Sequence, residues 1–187
     1  MMRKHPYEQL LDRKRKWSPV KPTVGKLKNG SEDTIRRALA ARHLELPVGA
    51  FITEGLEKTV PNNARKLLED NVKDEERHDL ALGYYADAFG TDETDEKEGE
   101  LLRDAWINHP DHTIAKALVA ERSIFFVLLP FFRFNGDAGL RTVSADISRD
   151  EQIHVATNSL VCRELGLSPS QSLDKLGRPP LTGFFNP

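Results

Sequence analysis

The sequence predicts an all-α protein: a four-helix bundle with one long crossover, flanked by irregular N- and C-terminal arms. Three observations predict it. Apolar residues recur at helical spacing over long stretches, and no run of strand period competes with them. The stretches are separated by short Pro/Gly breaks, "TVPNN", Gly90 and "NGDAG". The longest connection falls between the second and third rods, which is where a bundle of two helical hairpins needs its crossover.

Taken in order, residues 1–30 form a basic arm ending in the Pro/Gly-punctuated linker "VKPTVGKLKNGSED". Ser31 is expected to cap the first helix, with Glu32 and Asp33 beside its positive end. That helix runs toward Lys58, and Pro47 should kink or split it near Glu45. The second helix is expected over 62–89, stopped by Gly90, with a length of about 40 Å. The acidic stretch 92–100 and "GELLRDAWINHP" read as a connector carrying a short helix. Asp111 is expected to cap the third helix, "HTIAKALVAERSIFFVLLPFFRF", whose later half is apolar on every side and should be deeply buried. After "NGDAG" the fourth helix, about 140–165, returns antiparallel, and residues 166–187 form a Pro/Gly-rich tail. The bundle thus occupies 31–165.

With 187 residues the chain is expected to be one domain with a single core. A charged fraction of 30% beside 39% hydrophobic residues favours a soluble, helix-rich protein. No apolar run has the length of a membrane span, and the N-terminus lacks the apolar stretch of a secretory signal, so a cytoplasmic location is expected. Cys162 is the only cysteine, which excludes an intrachain disulfide and a thiolate zinc cluster. Residues 1–30 hold nine Lys/Arg against two acids, whereas 92–100 holds six acids against one Lys. The basic arm is either a solvated tail or a docking element for a protein or nucleic-acid partner. An oligomer is compatible with the sequence.

Two segments share a chemical pattern: "KDEERH", residues 73–78, and "RDEQIH", residues 149–154. Each gives a Glu-x-x-His pair on one helix face, Glu75 with His78 and Glu151 with His154. Two lone glutamates join them. Glu121 lies in the apolar stretch "ALVAERSIFFVLLPFF", where an unpaired carboxylate needs a cation or a proton. Glu45 lies 30 residues before Glu75, as Glu121 lies 30 before Glu151, so one offset of 76 residues relates all three pairs. This is the pattern of two hairpin halves about a pseudo-twofold axis. Its four carboxylates and two imidazoles suit iron or manganese, and four carboxylates neutralise two divalent ions. Asp74 and Asp150 are placed to accept from the second ring N–H of a ligand His. Glu54 is the substitute should Glu45 not face the site. His43, two residues from Glu45, points elsewhere; His109 and His112 are expected to be capping or surface residues. Phe125, with Phe126, Phe131 and Phe132, either walls an apolar pocket or packs the core; Cys162 should be buried, and Trp17 and Trp106 should pin the arm and the connector.

The set resembles the ferritin-like di-iron carboxylate superfamily. "ISRDEQIH" is similar to the second metal motif of the small subunit of class I ribonucleotide reductase, and "ERSIFF" to its third metal helix. The resemblance spans about 31–165 and implies two iron ions, or a manganese–iron pair, held by Glu45, Glu75, His78, Glu121, Glu151 and His154. The family's radical tyrosine lies four residues after the first motif's His, where this chain has Leu82. Leu82, Phe125 and Tyr85 are then the expected pocket residues beside the metals, and Tyr85, seven past His78, is the remaining nearby tyrosine.

Two functions follow as expectations. One is an oxidoreductase whose reduced metals activate O₂ to oxidise an unknown substrate or iron itself. The other is a structural or assembly protein that uses the bundle as a scaffold, with arms docking on a partner and metal structural or vestigial.

Overall fold

The computed structural model describes residues 4–23, 25–28, 30–58 and 60–177. Ser31 stands at the first helix start as expected, but its hydroxyl donates to the Lys28 carbonyl (2.6 Å) instead of accepting from the helix. Helix α2 (Glu32–Ala40) ends in a 3₁₀ turn (Ala41–Leu44), and α3 (Glu45–Glu57) restarts the rod. Pro47 explains the break. Having no N–H to bond to His43, it is tolerated in the first turn of a new helix, so the tight turn comes before Glu45.

A short 3₁₀ turn (Asn62–Ala64) leads into α4 (Arg65–Phe89), closed by Gly90 at φ 77°. The crossover is more ordered than its sequence implied: α5 (Glu93–Ile107) takes up the acidic stretch, begun by Asp92 accepting from the Thr94 N–H (2.7 Å). It is fastened to the first rod by Arg42 and His43, both on Glu96 (2.8 and 2.5 Å), and by Arg37 on Glu98 (2.8 Å). Gly99 is required there, since a Cβ would meet the Ala40 carbonyl oxygen at 2.7 Å.

The third rod starts with His112, not Asp111, as its cap: His112 Nδ1 accepts from Ile114 N–H (3.2 Å), while Asp111 accepts from Ser170 N–H (2.8 Å). Helix α6 (Thr113–Ser123) passes through a π-helical turn (Ile124–Leu128), in which Leu129 N–H reaches Ile124 O, into α7 (Leu129–Asn135). The expected uninterrupted helix yields here to Pro130. The wider turn spares the proline the hydrogen bond it cannot make. Asp137 then caps α8 (Ala138–Glu164), accepting from Leu140 N–H (2.7 Å).

Four rods close a ring: α3 packs on α4 and α6, and α8 packs on α4 and on the α6–α7 rod. Leu68, Leu82, Ile114, Leu128 and Phe132 are among its fully buried side chains. Among the described residues there is no strand, and no helix is long and apolar enough to cross a membrane.

The arms are less irregular than expected. The N-terminal arm carries α1 (Pro6–Leu11), which buries Tyr7 and Leu10 against α4 and α8. The tail carries α9 (Gln171–Gly177), which packs on α6 through buried Leu173. The rest of the expected tail, 178–187, lies outside the described residues.

Candidate metal centre

Glu75 and His78 lie one turn apart on α4, and Glu151 and His154 one turn apart on α8. Because these helices face each other, both pairs meet in the bundle interior. Each of the four offers a ligand atom, all within 4.8 Å of one another, and all four are buried. Two donors on one ion stand at most about 4.4 Å apart, given metal–ligand bonds of roughly 2.0–2.2 Å. The carboxylate–imidazole contacts among the four, 2.8–3.7 Å, fall within that span.

Glu45 and Glu121 complete the ring, both with no exposed surface. Glu45 Oε2 lies 3.7 Å from His78 Nδ1, and Glu121 Oε1 lies 3.7 Å from His154 Nδ1. Glu75 stands between the imidazoles, with Oε1 2.8 Å from His154 Nδ1 and Oε2 3.7 Å from His78 Nδ1. Glu151 does likewise through Oε1, 3.2 Å from His78 Nδ1 and 3.7 Å from His154 Nδ1. Each lone glutamate thus has one imidazole as neighbour, and each motif glutamate has both. Glu54, the alternative to Glu45, is a surface residue paired with Lys58.

The outer faces of the imidazoles are paired crosswise. His78 Nε2–H donates to Asp150 (3.2 Å) and His154 Nε2–H to Asp74 (3.0 Å), each aspartate coming from the other motif. This reciprocity is the structural trace of the 76-residue offset. It also leaves both Nδ1 atoms facing the carboxylates, with their ring planes stacked at 5.6 Å.

The aspartates are themselves held by one residue inside the first motif and two outside both motifs. Arg77 bridges Asp74 and Asp150. Lys14 pairs with Asp74, and Trp17 Nε1–H donates to Asp150 (2.7 Å) while its ring lies over His78 and under the Arg77 guanidinium. The basic arm thus reaches the centre with two side chains. Asn158, one turn past His154, donates to Glu121 Oε2 (2.7 Å) and was equally missed. A buried polar residue one turn beyond a motif His was the available signal.

The remaining residues fall as follows. Leu82 is fully buried, Phe125 is half-buried against exposed Phe126, and Tyr85 is buried with its hydroxyl against Gly139, where a Cβ would come within 2.5 Å. Gly139 precedes Glu151 by twelve residues of α8, about 18 Å of helix, so the phenol points away from the cluster. His43, His109 and His112 are engaged elsewhere, with Glu96, Ser172 and the α6 cap, and Cys162 is buried.

Orphaned atoms provide the test of fit. Both oxygens of Glu45, Glu75 and Glu151, Oε1 of Glu121, and Nδ1 of both histidines are buried without a hydrogen-bond partner. Buried polar atoms are almost always satisfied, so such a concentration fits a site built for cations. The ionisation balance of the metal-free centre agrees. Burial raises Glu45 to about 8 against the opposing pull of His78, and burial likewise pushes Glu121 and Glu151 upward. Glu75 is buried too, yet His154 and His78 hold it down at about 2. Both imidazoles, although buried, are raised well above their ordinary range by the surrounding carboxylates. Protons supply the positive charge that metal ions would bring. Hard oxygen donors with imidazole nitrogen, and no thiolate, form a donor set suited to iron or manganese.

No protein-family model, curated protein or solved structure matches the chain.

Proposed function

We propose that the chain is a short, divergent ferritin-like carboxylate protein that holds two iron ions, or a manganese–iron pair, and activates O₂ to oxidise a substrate or iron. The observation that carries this reading is the ring of buried donors, four carboxylates and two imidazoles, whose oxygens and Nδ1 atoms, Glu121 Oε2 apart, have no hydrogen-bond partner. Glu45 with His78 and Glu121 with His154 would each hold one of the two ions, and Glu75 and Glu151, each facing both imidazoles, would serve both. Two reduced ions bound there would supply electrons to O₂. The chain's own part is to fix and protect. Asp74 and Asp150 hold the histidines in the Nε2–H tautomer, which presents the Nδ1 lone pair inward. Arg77, Lys14 and Trp17 keep those aspartates in place, and the surrounding apolar core excludes water.

The test is oxygen consumption after anaerobic loading with Fe(II). Uptake of about two iron per chain followed by O₂ consumption supports the proposal. Uptake without O₂ consumption would make the metal structural and return the function to a scaffold.

A further inference from the structure

The two halves of the centre agree at every donor and disagree at the residue one turn past each His. Offset by 76, Glu45 corresponds to Glu121, Glu75 to Glu151, His78 to His154 and Asp74 to Asp150; one helical turn past each His, however, stands Leu82 in α4 and Asn158 in α8. Both are fully buried. Leu82 has nothing to donate, and both Glu45 oxygens are without hydrogen-bond partners. Asn158 Nδ2 donates to Glu121 Oε2 at 2.7 Å, so only Glu121 Oε1 is left free, and that oxygen is the one facing His154 Nδ1 at 3.7 Å.

The consequence is chemical. A hydrogen bond to a carboxylate oxygen draws electron density from it and fixes the carboxylate plane, because charge-assisted bonds are short and directional. Glu121 then offers its ion one oxygen at a set angle, whereas Glu45 can turn and offer two. Donor for donor, the His154 position is one oxygen poorer than the His78 position.

Resting on the two-metal reading above, we propose that Asn158 is a positioning residue that makes the two metal positions inequivalent. The Glu45–His78 position is the tight one, and the Glu121–His154 position is weaker, with a coordination place left for an exogenous ligand. Asn158 touches Glu121 and acts only through it.

The experiment is titration of the metal-free full-length chain with Mn(II), following free Mn(II) by electron paramagnetic resonance. The wild type should take up two ions in two steps separated by about tenfold or more in affinity, the scale on which residues supporting a ligand act. Asn158→Leu, which gives the second half the residue of the first, should tighten the weak step and leave the strong one, closing the gap to about threefold or less. Leu82→Asn makes the opposite change: it places an amide beside the Glu45 half and should weaken the strong step, so the inference does not depend on one variant folding. A purely structural role for Asn158 would weaken both steps together. Two equal sites in the wild type, or a gap unchanged in both variants, would overturn the inference while leaving the two-metal reading intact. No Mn(II) uptake by the wild type would instead overturn that reading, and this inference with it.

Discussion

The two hairpin halves present the same buried carboxylates and imidazoles on differently built backbones. In the first half the rod is broken before its glutamate, by the tight turn Ala41–Leu44 that Pro47 enforces. In the second it is broken after its glutamate, by the wide turn Ile124–Leu128 that accommodates Pro130. Their supports differ as well: Asp74 is held by Lys14 and Arg77, Asp150 by Trp17 and Arg77, and only Glu121 has an amide at its back. Six buried donors can be kept in common while everything around them varies, because the donors are tied to charge balance and geometry at one point. The supports need only hold a carboxylate still, which several residue types can do.

The largest effect that separates the halves from the bridge between them is loss of metal. Glu75 faces both imidazoles, so Glu75→Ala should lower metal content from two ions per chain to none, whereas Glu45→Ala should retain the ion on the His154 side; metal analysis after gel filtration checks this. Equal losses in the two variants would break the distinction between shared and terminal ligands.

Stability of the metal-free chain should move the other way. Glu45 is buried with neither oxygen hydrogen-bonded, so Glu45→Leu should stabilise it by about 1–3 kcal/mol, the cost of a buried polar group left without a partner. Glu121→Leu should gain less by about 1–3 kcal/mol, because it strands the Asn158 amide. Urea denaturation of both variants reads the difference.

The response to pH follows from the direction of the shifts. Glu45 is raised from 4.5 to about 8, and His78 and His154 are raised from 6.5, so their contribution is complete below those ordinary values and is lost as pH rises through the folded ones. Glu75, lowered from 4.5 to about 2, contributes with the opposite sign, and its share is lost only as pH falls toward 2. Between about pH 6 and 8 the metal-free chain therefore weakens, while ions that must displace those same protons bind better. The rise in melting temperature on adding Mn(II) should be larger at pH 8 than at pH 6.

A smaller effect distinguishes the two supports from the arm. Trp17→Phe removes the donor to Asp150, which holds His78; Lys14→Ala removes a partner of Asp74, which holds His154. Each should weaken metal binding by about tenfold, at opposite positions. The smallest expected effect is none: Tyr85→Phe should leave metal content unchanged, and oxygenated Fe(II)-loaded wild type should show no tyrosyl signal, since the phenol lies against Gly139.

Much of this was legible in the sequence where one physical requirement dominates. Glu121 in an apolar helix called for a cation or a proton, and the repeated offset then pointed to Glu45, although Pro47 so close to it made Glu54 the natural substitute. The helix that restarts at Glu45 removes that ambiguity, since the proline shapes the turn before the glutamate rather than displacing it. What stayed hidden depends on contacts between segments far apart in sequence. Lys14 looked like one more charge of the basic arm and Trp17 like a residue pinning that arm, but nothing local says that they fold back on Asp74 and Asp150. The π-helical turn was hidden because Pro130 sits in a stretch whose apolar pattern is unbroken; only the missing N–H betrays it. His112 displaced Asp111 as the helix cap because the Asp111 carboxylate is taken by Ser170, from the C-terminal tail.

The most direct test of the central claim is the metal content of the full-length chain after anaerobic incubation with excess Fe(II) and removal of unbound ion, read beside the Glu75→Ala variant. Two iron per chain in the wild type and none in Glu75→Ala is the predicted result. A wild type that retains no iron, or a variant that retains as much as the wild type, would contradict a two-metal centre built on Glu45, Glu75, His78, Glu121, Glu151 and His154.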